Sequence, residues 1–460
     1  MTMEERESSG HALIVPYPTQ GHINPMLQFA KRIAAHGLRV TAALTRFIAN
    51  TTSPPPAAAA SGIAFATISD GFDSGGFSEA SGIPTYLAGL ESAGARTLGE
   101  LLGSLAAGGQ PVTVVVYDSF LPWAAGVAQR HGAAAASFFT QSVAVNAAYC
   151  HLWEGRLRLP VTAAVEGLPG LLRMEPEELP SFFTESAAPY AVYLELVLNQ
   201  FKDLEKADFM LINSFYELEP MATDWLKTTR PARTIGPTVP SAYLDGRIPG
   251  DSTYGVQLLP PETSACTAWL AARPPLSAVY VSFGSIAEIS AAQTAELAHG
   301  LAAAGRPFLW VVRPSEASKL PPGFATGAAA AGGLVVGWAP QLEVLASGAV
   351  GCFVTHCGWN STAEALVAGV PMVTVAQWTD QPTDAKYVEE EWGVGVRARK
   401  GEGGLVGRAE VERCVREVME GERSEGMRRR AAEWKEAARR AVAAGGSSDR
   451  NVVEFVERYR

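Results

Sequence analysis

Apolar runs and amphipathic windows alternate along most of the chain. HALIVPYP (11–18) reads as a buried strand, TQGHINP as the loop after it, and PMLQFAKRIAAHG as an amphipathic helix opened by Pro25 and closed by Gly37. LRVTAALT (38–45), VTVVVYD (112–118), AAASFF (134–139) and FMLINSF (209–215) predict further strands, with helical stretches between several of them. Strands this apolar, alternating with helices, predict a parallel sheet covered on both faces. From Pro237 to Ala265 the chain is rich in Pro, Gly, Ser and Thr and loses its periodicity, as an interdomain linker does. The pattern then restarts with VYVSFGS (279–285), FLWVVRP (308–314), GLVVGWA (333–339), AVGCFVTH (349–356) and PMVTVA (371–376), separated by helical windows such as 291–303 and 359–368. A second doubly wound domain follows from it. A charged helical tail over about 407–459 is broken at Gly421 and at Gly445-Gly446-Ser447.

The expected organisation is therefore an N-terminal domain over 1–240, a linker over 241–265, a C-terminal domain over 266–445, and a last helix over 446–460 that packs back on the N-terminal domain. The Ala-rich stretches 54–60 and 327–331 read as loop or helix padding. Two α/β halves imply a cleft where the carboxyl ends of both sheets face each other, the usual place for a ligand in open parallel sheets.

Composition narrows the function without naming it. With 460 residues, 47% of them hydrophobic, the chain has enough apolar material for two or three domains. A net charge of −10 argues against nucleic acid or an anionic membrane as partner, while leaving room for a nucleotide in a local pocket. Five cysteines with no CxxC pair suggest neither a disulfide framework nor a zinc cage. The polar start MTMEERESSG has no apolar signal core, and no run of about 18 apolar residues follows. A cytoplasmic, monomeric protein is the expectation.

The common phosphate-binding and hydrolytic signatures are missing: there is no GxxxxGK[ST], no GxGxxG after the first strand, no GxSxG and no HExxH. Nor is there an Asp-x-Asp pair to clamp a metal on a diphosphate. What does stand out is Trp338-Ala339-Pro340-Gln341, then Thr355-His356-Cys357-Gly358-Trp359-Asn360-Ser361, Glu364, and Trp378-Thr379-Asp380-Gln381. This stretch resembles the signature of the plant secondary-product UDP-glycosyltransferases, which move sugar from a UDP-sugar to small lipophilic acceptors. The Gln20-Gly21-His22 loop, Tyr117-Asp118-Ser119, Ser282-Phe283-Gly284-Ser285 and the C-terminal helices extend the resemblance to the whole chain. FLPWAAGVA and PTDAKYVEEEWGVGVR look closest to the subgroup acting on carboxylic acids, thiohydroximates and trichothecenes. The resemblance implies the GT-B fold, two Rossmann-like doubly wound parallel-sheet domains.

The residues support the same chemistry. His356 ends an apolar strand and Gly358 opens a turn, so Trp359, Asn360 and Ser361 fall in the first helical turn, whose free amides and dipole favour an anion. His356 and Ser361 would donate to diphosphate oxygens, with Asn360 beside them and Ser285 approaching from the other side. Trp338 offers a flat face for uracil, with Ala339 beside it and Gln341 near the nucleoside. By resemblance, Glu364 accepts from the ribose hydroxyls, Asp380 and Gln381 grip the sugar, and Thr140 contacts it. A terminal Gln in this signature leans toward glucose. Taken alone, Trp338 and Trp359 read as core aromatics, and His356 as a capping or core histidine; Cys352 and Cys357 read as small core residues.

Sugar transfer to a hydroxyl needs a base near the nucleophile and a site that stabilises the departing diphosphate. His22, after the first strand, is the candidate base, and Asp118, at the carboxyl end of VTVVVYD, the partner that fixes its tautomer. The blander readings are a polar residue near a helix start for His22 and a helix N-cap for Asp118. His11, His36, His131, His151 and His299 carry no motif. Phe120, Leu121, Tyr149, Tyr193 and Leu194, with Gln377 or Trp378, would form a lipophilic acceptor pocket. The expectation is an inverting, metal-free UDP-glucose-dependent O-glucosyltransferase with no cofactor, acting on phenolic, terpenoid or trichothecene hydroxyls for detoxification or storage. The alternatives are a glucose-ester-forming enzyme on a carboxylate such as an auxin or salicylate, and a non-catalytic nucleotide-sugar-binding protein. An epimerase or hydrolase on the same fold is a further competitor, one that would release UDP without an acceptor.

Overall fold

The computed structural model describes residues 10–52, 62–184 and 190–460; residues 1–9 and the Ala-rich stretch 54–60 lie outside the described residues. Two compact units emerge. The first comprises the described residues up to Pro176, those of Phe182–Leu258, and Arg439–Arg460; the second comprises Glu177–Ser181 and Leu259–Ala438.

In the first unit the strands β1 (His11–Val15), β2 (Arg39–Thr45), β3 (Ile63–Ile68), β4 (Val114–Asp118), β5 (Ala134–Phe139), β6 (Phe209–Ile212) and β7 (Ala232–Thr234) form one parallel sheet. Their order is β3-β2-β1-β4-β5-β6-β7, so the direction of winding reverses between β1 and β4. Ile14, Val116 and Phe138 from the sheet, Phe29 and Ile33 from the helix Gln20–Ala35, and Phe455 from the helix Ser447–Tyr459 share one core.

The second unit repeats this plan. Strands β8 (Ala278–Ser282), β9 (Phe308–Val311), β10 (Leu334–Val336), β11 (Val350–Thr355), β12 (Met372–Thr374) and β13 (Gly395–Arg397) are ordered β10-β9-β8-β11-β12-β13, all parallel, with the reversal between β8 and β11. Val281, Trp310, Val354 and Val373 build its core with Leu297, Val411 and Val415 from covering helices.

The differences from the sequence reading are local. β3, β7 and β13 have no counterpart among the predicted strands, and all three lie at sheet edges. An edge strand is covered less completely, and in β3 only the first and last residues are buried, which erases the continuous apolar run of a central strand. The predicted runs also overshoot: β1 stops at Val15, before Pro16 and Pro18, which have no N–H to give to a ladder. The helix after β1 begins at Gln20, five residues earlier than expected, with Pro25 inside it. Its first turn is closed by His22 N–H and Ile23 N–H donating to the Thr19 carbonyl at 3.1 and 2.9 Å, so His22 sits in a helical turn rather than a loop.

The expected linker 241–265 is divided, and its part through Leu258 is fastened to the helix Gln20–Ala35 of the first unit. Lys31 Nζ meets Asp251 Oδ1 at 2.7 Å and donates to the Thr253 carbonyl at 2.6 Å, while Arg32 pairs with Asp245 at 3.2 Å. Gln20 donates to the Val256 carbonyl at 2.9 Å and accepts from Leu258 N–H at 2.7 Å. The Lys31 and Asp251 side chains are 3% and 2% exposed, and burial lowers the Lys31 pKa against the pull of Asp251. Removing one partner strands the other charge in the core. Asp251→Ala is therefore expected to cost about 3–5 kcal/mol of unfolding free energy in urea, and the double change Lys31→Met, Asp251→Leu clearly less. Equal losses in the two variants would contradict a sealed pair.

Candidate active site

At the carboxyl end of β1 and β4, the two strands flanking the reversal, the first unit assembles a titratable pair. Asp118 ends β4 with its side chain fully buried, and its Oδ2 lies 2.7 Å from His22 Nδ1. Its Oδ1 accepts from Phe120 N–H at 3.0 Å, which fixes the carboxylate in plane. A carboxylate only accepts, so Nδ1 carries the hydrogen and Nε2 keeps the lone pair of the neutral ring. The imidazole lies against two aromatic rings, Tyr17 at 5.3 Å and Phe120 at 4.9 Å between centroids. Thr140, at the end of β5, brings its hydroxyl to 3.5 Å from His22 Nδ1.

The other residues expected around an acceptor divide by exposure. Phe120, Tyr193 and Leu194 are partly exposed. Leu121 and Tyr149 are 1% and 0% exposed and belong to the packing behind the site. Tyr193 stacks on Phe182 at 6.4 Å. Two nearby residues carried no motif in the sequence: Tyr17, whose phenol is held protonated by burial and by Asp118, and Gln200, 3% exposed, whose Oε1 accepts from Ser119 Oγ at 3.3 Å.

The second unit brings the signature residues together through strand register. Thr355 of β11 pairs with Ser282 of β8 and with Thr374 of β12, so the segments 283–285, 356–361 and 375–381 leave the same edge of the sheet. His356 lies between two glycine backbones: a Cβ on Gly284 would fall 2.8 Å from the ring, and one on Gly358 2.6 Å from it. Only glycine admits the imidazole there, and Gly284 also has φ of +72°. Desolvation on both faces lowers His356 to about 4, helped by the Arg313 charge, so the ring is neutral at pH 7. Arg313 donates to the carbonyls of Ser285 and Ala287 and so ties down the loop after β8.

Gln341 opens the helix Gln341–Ala346 and links three side chains. It accepts from the Tyr280 hydroxyl at 3.1 Å and donates to Ser361 Oγ at 3.1 Å and Glu364 Oε2 at 2.7 Å. Ser361 and Glu364 lie three residues apart on the helix Trp359–Ala368 and are each 6% exposed. Asn360 is partly exposed beside them, whereas the Trp359 indole is 4% exposed and packs on Trp392 at 6.0 Å. Trp338 is partly exposed and Ala339 buried, and the Trp338 carbonyl accepts from Glu262 N–H at 2.9 Å.

Asp380, 6% exposed, accepts from the Trp359 backbone N–H at the helix start, and burial pushes its carboxyl up to about 6, against the opposing pull of its hydrogen bonds with Asp384, Trp359 N–H and Thr379. Gln381 Oε1 accepts from Gln377 N–H at 2.9 Å and Trp378 N–H at 3.2 Å, closing a compact turn. The Gln377 side chain donates back to the Val375 carbonyl at 2.8 Å. Cys352 and Cys357 are fully buried, and Cys357 has φ of +65° where the chain turns from β11 into the helix. Among the described residues no group of three or more His, Cys, Asp or Glu side chains is gathered to hold a metal ion, and no helix is long and apolar enough to cross a membrane.

Two parallel Rossmann-like sheets, one carrying a His–Asp pair and the other a helix N-terminus ringed by neutral donors, define a GT-B glycosyltransferase. Residues 261–428 match the family described as UDP-glucoronosyl and UDP-glucosyl transferase, and residues 11–219 match the N-terminal domain of glycosyltransferases. UDP-glycosyltransferase 74F2 of Arabidopsis thaliana is 47% identical over 455 residues, covering 98% of each chain. The indole-3-acetate beta-glucosyltransferase of Zea mays is 48% identical over 472 residues, again covering 98% of each. The crystal structure of Os79 from O. sativa in complex with UDP is similar with a TM-score of 0.91 at 44% identity, covering 98% of this chain and 100% of that one. The chain belongs to the family 1 plant UDP-glycosyltransferases and is an enzyme that glucosylates small molecules from a UDP-sugar.

His356 gives a measurable consequence. Between pH 6.5 and about 4 the unfolded chain protonates this imidazole and the folded one does not, so its burial lowers stability as pH falls through that window. Relative to His356→Gln, the native protein should lose up to about 2 kcal/mol of unfolding free energy between pH 7 and pH 5. Parallel stability curves for the two proteins across that range would show that the ring is protonated in the folded state.

Proposed function

We propose that the enzyme transfers glucose from UDP-glucose, with inversion, to a hydroxyl of a small lipophilic acceptor of phenolic, terpenoid or trichothecene type. The observation that carries this reading is the 2.7 Å contact between His22 Nδ1 and the buried Asp118 carboxylate. With Nδ1–H committed to Asp118, Nε2 takes the acceptor proton as the oxygen attacks the anomeric carbon, and Asp118 stabilises the imidazolium that forms. The bond from that carbon to the diphosphate breaks on the opposite face, so an α-linked donor gives a β-linked product in a single displacement.

Leaving-group charge is met by hydrogen bonds and a helix N-terminus. His356, Ser361, Asn360 and Ser285 take the diphosphate, Glu364 the ribose, Trp338, Ala339 and Gln341 the uracil and nucleoside, and Asp380, Gln381 and Thr140 the sugar. Trp359 contributes from the first helical turn. Its buried indole supports a backbone role there. Phe120, Tyr193, Leu194, Gln377 and Trp378 bound the acceptor, with Leu121 and Tyr149 supporting that wall from behind. No metal or cofactor enters the scheme, and the protein acts as a cytoplasmic monomer.

Relatives support two acceptor chemistries. Os79 has been solved with a trichothecene, and a 46% identical Arabidopsis thaliana relative is a flavonol 7-O-beta-glucosyltransferase. The Zea mays relative carries indole-3-acetate in its name, which favours a glucose ester on a carboxylate as the second reading. UDP release with mass detection of products, run against phenols, trichothecenes and aromatic acids, separates the two. Glucosides of hydroxyl acceptors support the first reading; products confined to esters replace it with the second. His22→Ala should lower kcat by about 10²- to 10⁴-fold on a hydroxyl acceptor. The loss should be much smaller on a carboxylate, which arrives already ionised. Unchanged turnover on the hydroxyl would remove His22 from the chemistry.

A further inference from the structure

Residues Glu177–Ser181 belong to the second unit although the chain on either side of them belongs to the first. Their contacts converge on one place. Ser181 N–H donates to the Thr379 carbonyl at 2.9 Å, and Thr379 N–H donates to Ser181 Oγ at 2.8 Å, a reciprocal pair around a single residue. Three residues earlier, Glu178 anchors the segment. Its carbonyl accepts from Thr383 Oγ1 at 2.8 Å, Oε2 accepts from Lys386 Nζ at 2.8 Å, and Oε1 accepts from Arg397 Nη1 at 2.7 Å. The Glu178, Lys386 and Arg397 side chains are 13%, 8% and 11% exposed. Thr383 and Lys386 lie on the helix Gln381–Lys386, and Arg397 ends β13.

Thr379 is the residue in this region whose backbone most needs holding. It has φ of +56°, a left-handed conformation that is an outlier for a β-branched side chain. Such strain persists only where the surroundings over-determine it, and it collects at ligand-binding turns. Here the turn is 377–381. Gln381 Oε1 closes it from within by accepting from Gln377 and Trp378 N–H, and the Thr379 hydroxyl meets the Asp380 carboxylate. Ser181 closes it from without, on both polar backbone groups of the strained residue.

We propose that Glu177–Ser181 is a strap that holds the 377–381 turn in its strained form, with Ser181 and Glu178 as positioning residues for the sugar end of the donor. The inference rests on Asp380 and Gln381 gripping the glucose, as proposed above. Without the Ser181 hydroxyl, Thr379 N–H loses its partner and the turn relaxes away from φ of +56°, taking Asp380 and Gln381 out of place. UDP, which lacks the sugar, does not depend on that turn.

The test is calorimetric binding of UDP-glucose and of UDP to the full chain in acceptor-free buffer. Ser181→Ala should weaken UDP-glucose by about tenfold, the worth of one buried hydrogen bond, and leave UDP binding unchanged. Ser181→Thr, which keeps the hydroxyl, should restore the native ratio. Thr379→Gly placed in the Ser181→Ala background should do so as well, because glycine adopts positive φ without strain. Equal weakening of both ligands, an unchanged ratio in Ser181→Ala, or no recovery in either companion variant would overturn the strap. Gln381→Ala separates this inference from the reading beneath it. A lowered UDP-glucose to UDP preference in Gln381→Ala with none in Ser181→Ala overturns the strap alone; no change in either overturns the sugar-site reading with it.

Discussion

Parallel strands deliver all their carboxyl-terminal loops to one edge, and at a reversal of winding two adjacent strands send those loops apart. The candidate site residues of each unit depend on that constraint. Between β1 and β4 it brings together the first turn of the helix Gln20–Ala35 and the terminal carboxylate of β4, giving the His22–Asp118 contact. Between β8 and β11 it places the Ser285 loop beside His356 and the start of the helix Trp359–Ala368. Residues dispersed over long stretches of sequence thus become neighbours through ladder register, before any side chain chooses a partner.

Burial then decides what each residue can do. The second unit gathers polar side chains around a helix N-terminus, and keeps His356 uncharged by enclosing it between Gly284 and Gly358. Gln341 locks its neighbours together by occupying its amide on Tyr280, Ser361 and Glu364 simultaneously. Asp380 is drawn inward to the Trp359 N–H, so the carboxylate that the resemblance assigns to the sugar is also part of the helix cap. The polar groups here are largely pre-oriented by one another, which reduces the reorganisation a transition state would otherwise demand.

Much of the remaining order comes from segments that the hydropathy pattern leaves unassigned. Residues 241–258 have a linker's composition, yet Lys31, Arg32, Gln20 and Gln28 of one helix each reach into them. Glu177–Ser181, likewise outside every predicted element, closes around Thr379. Both segments gain their positions through ion pairs and backbone hydrogen bonds to distant residues, interactions with no periodic trace in sequence.

The sequence by itself determined the fold class, the central strands of both sheets, the family and the roster of polar residues at the strand ends. Central strands in parallel sheets are apolar on both faces, and the signature from Trp338 to Gln381 is dense in uncommon side chains. Tertiary structure alone decided the edge strands, the placing of His22 within a helix, and the division of labour among the aromatics, with Trp359 packed on Trp392 and Phe120 against His22. It also decided which unit owns Glu177–Ser181 and residues 241–258. Those outcomes depend on pairings such as Lys31 with Asp251, and a local pattern cannot encode a partner more than two hundred residues away.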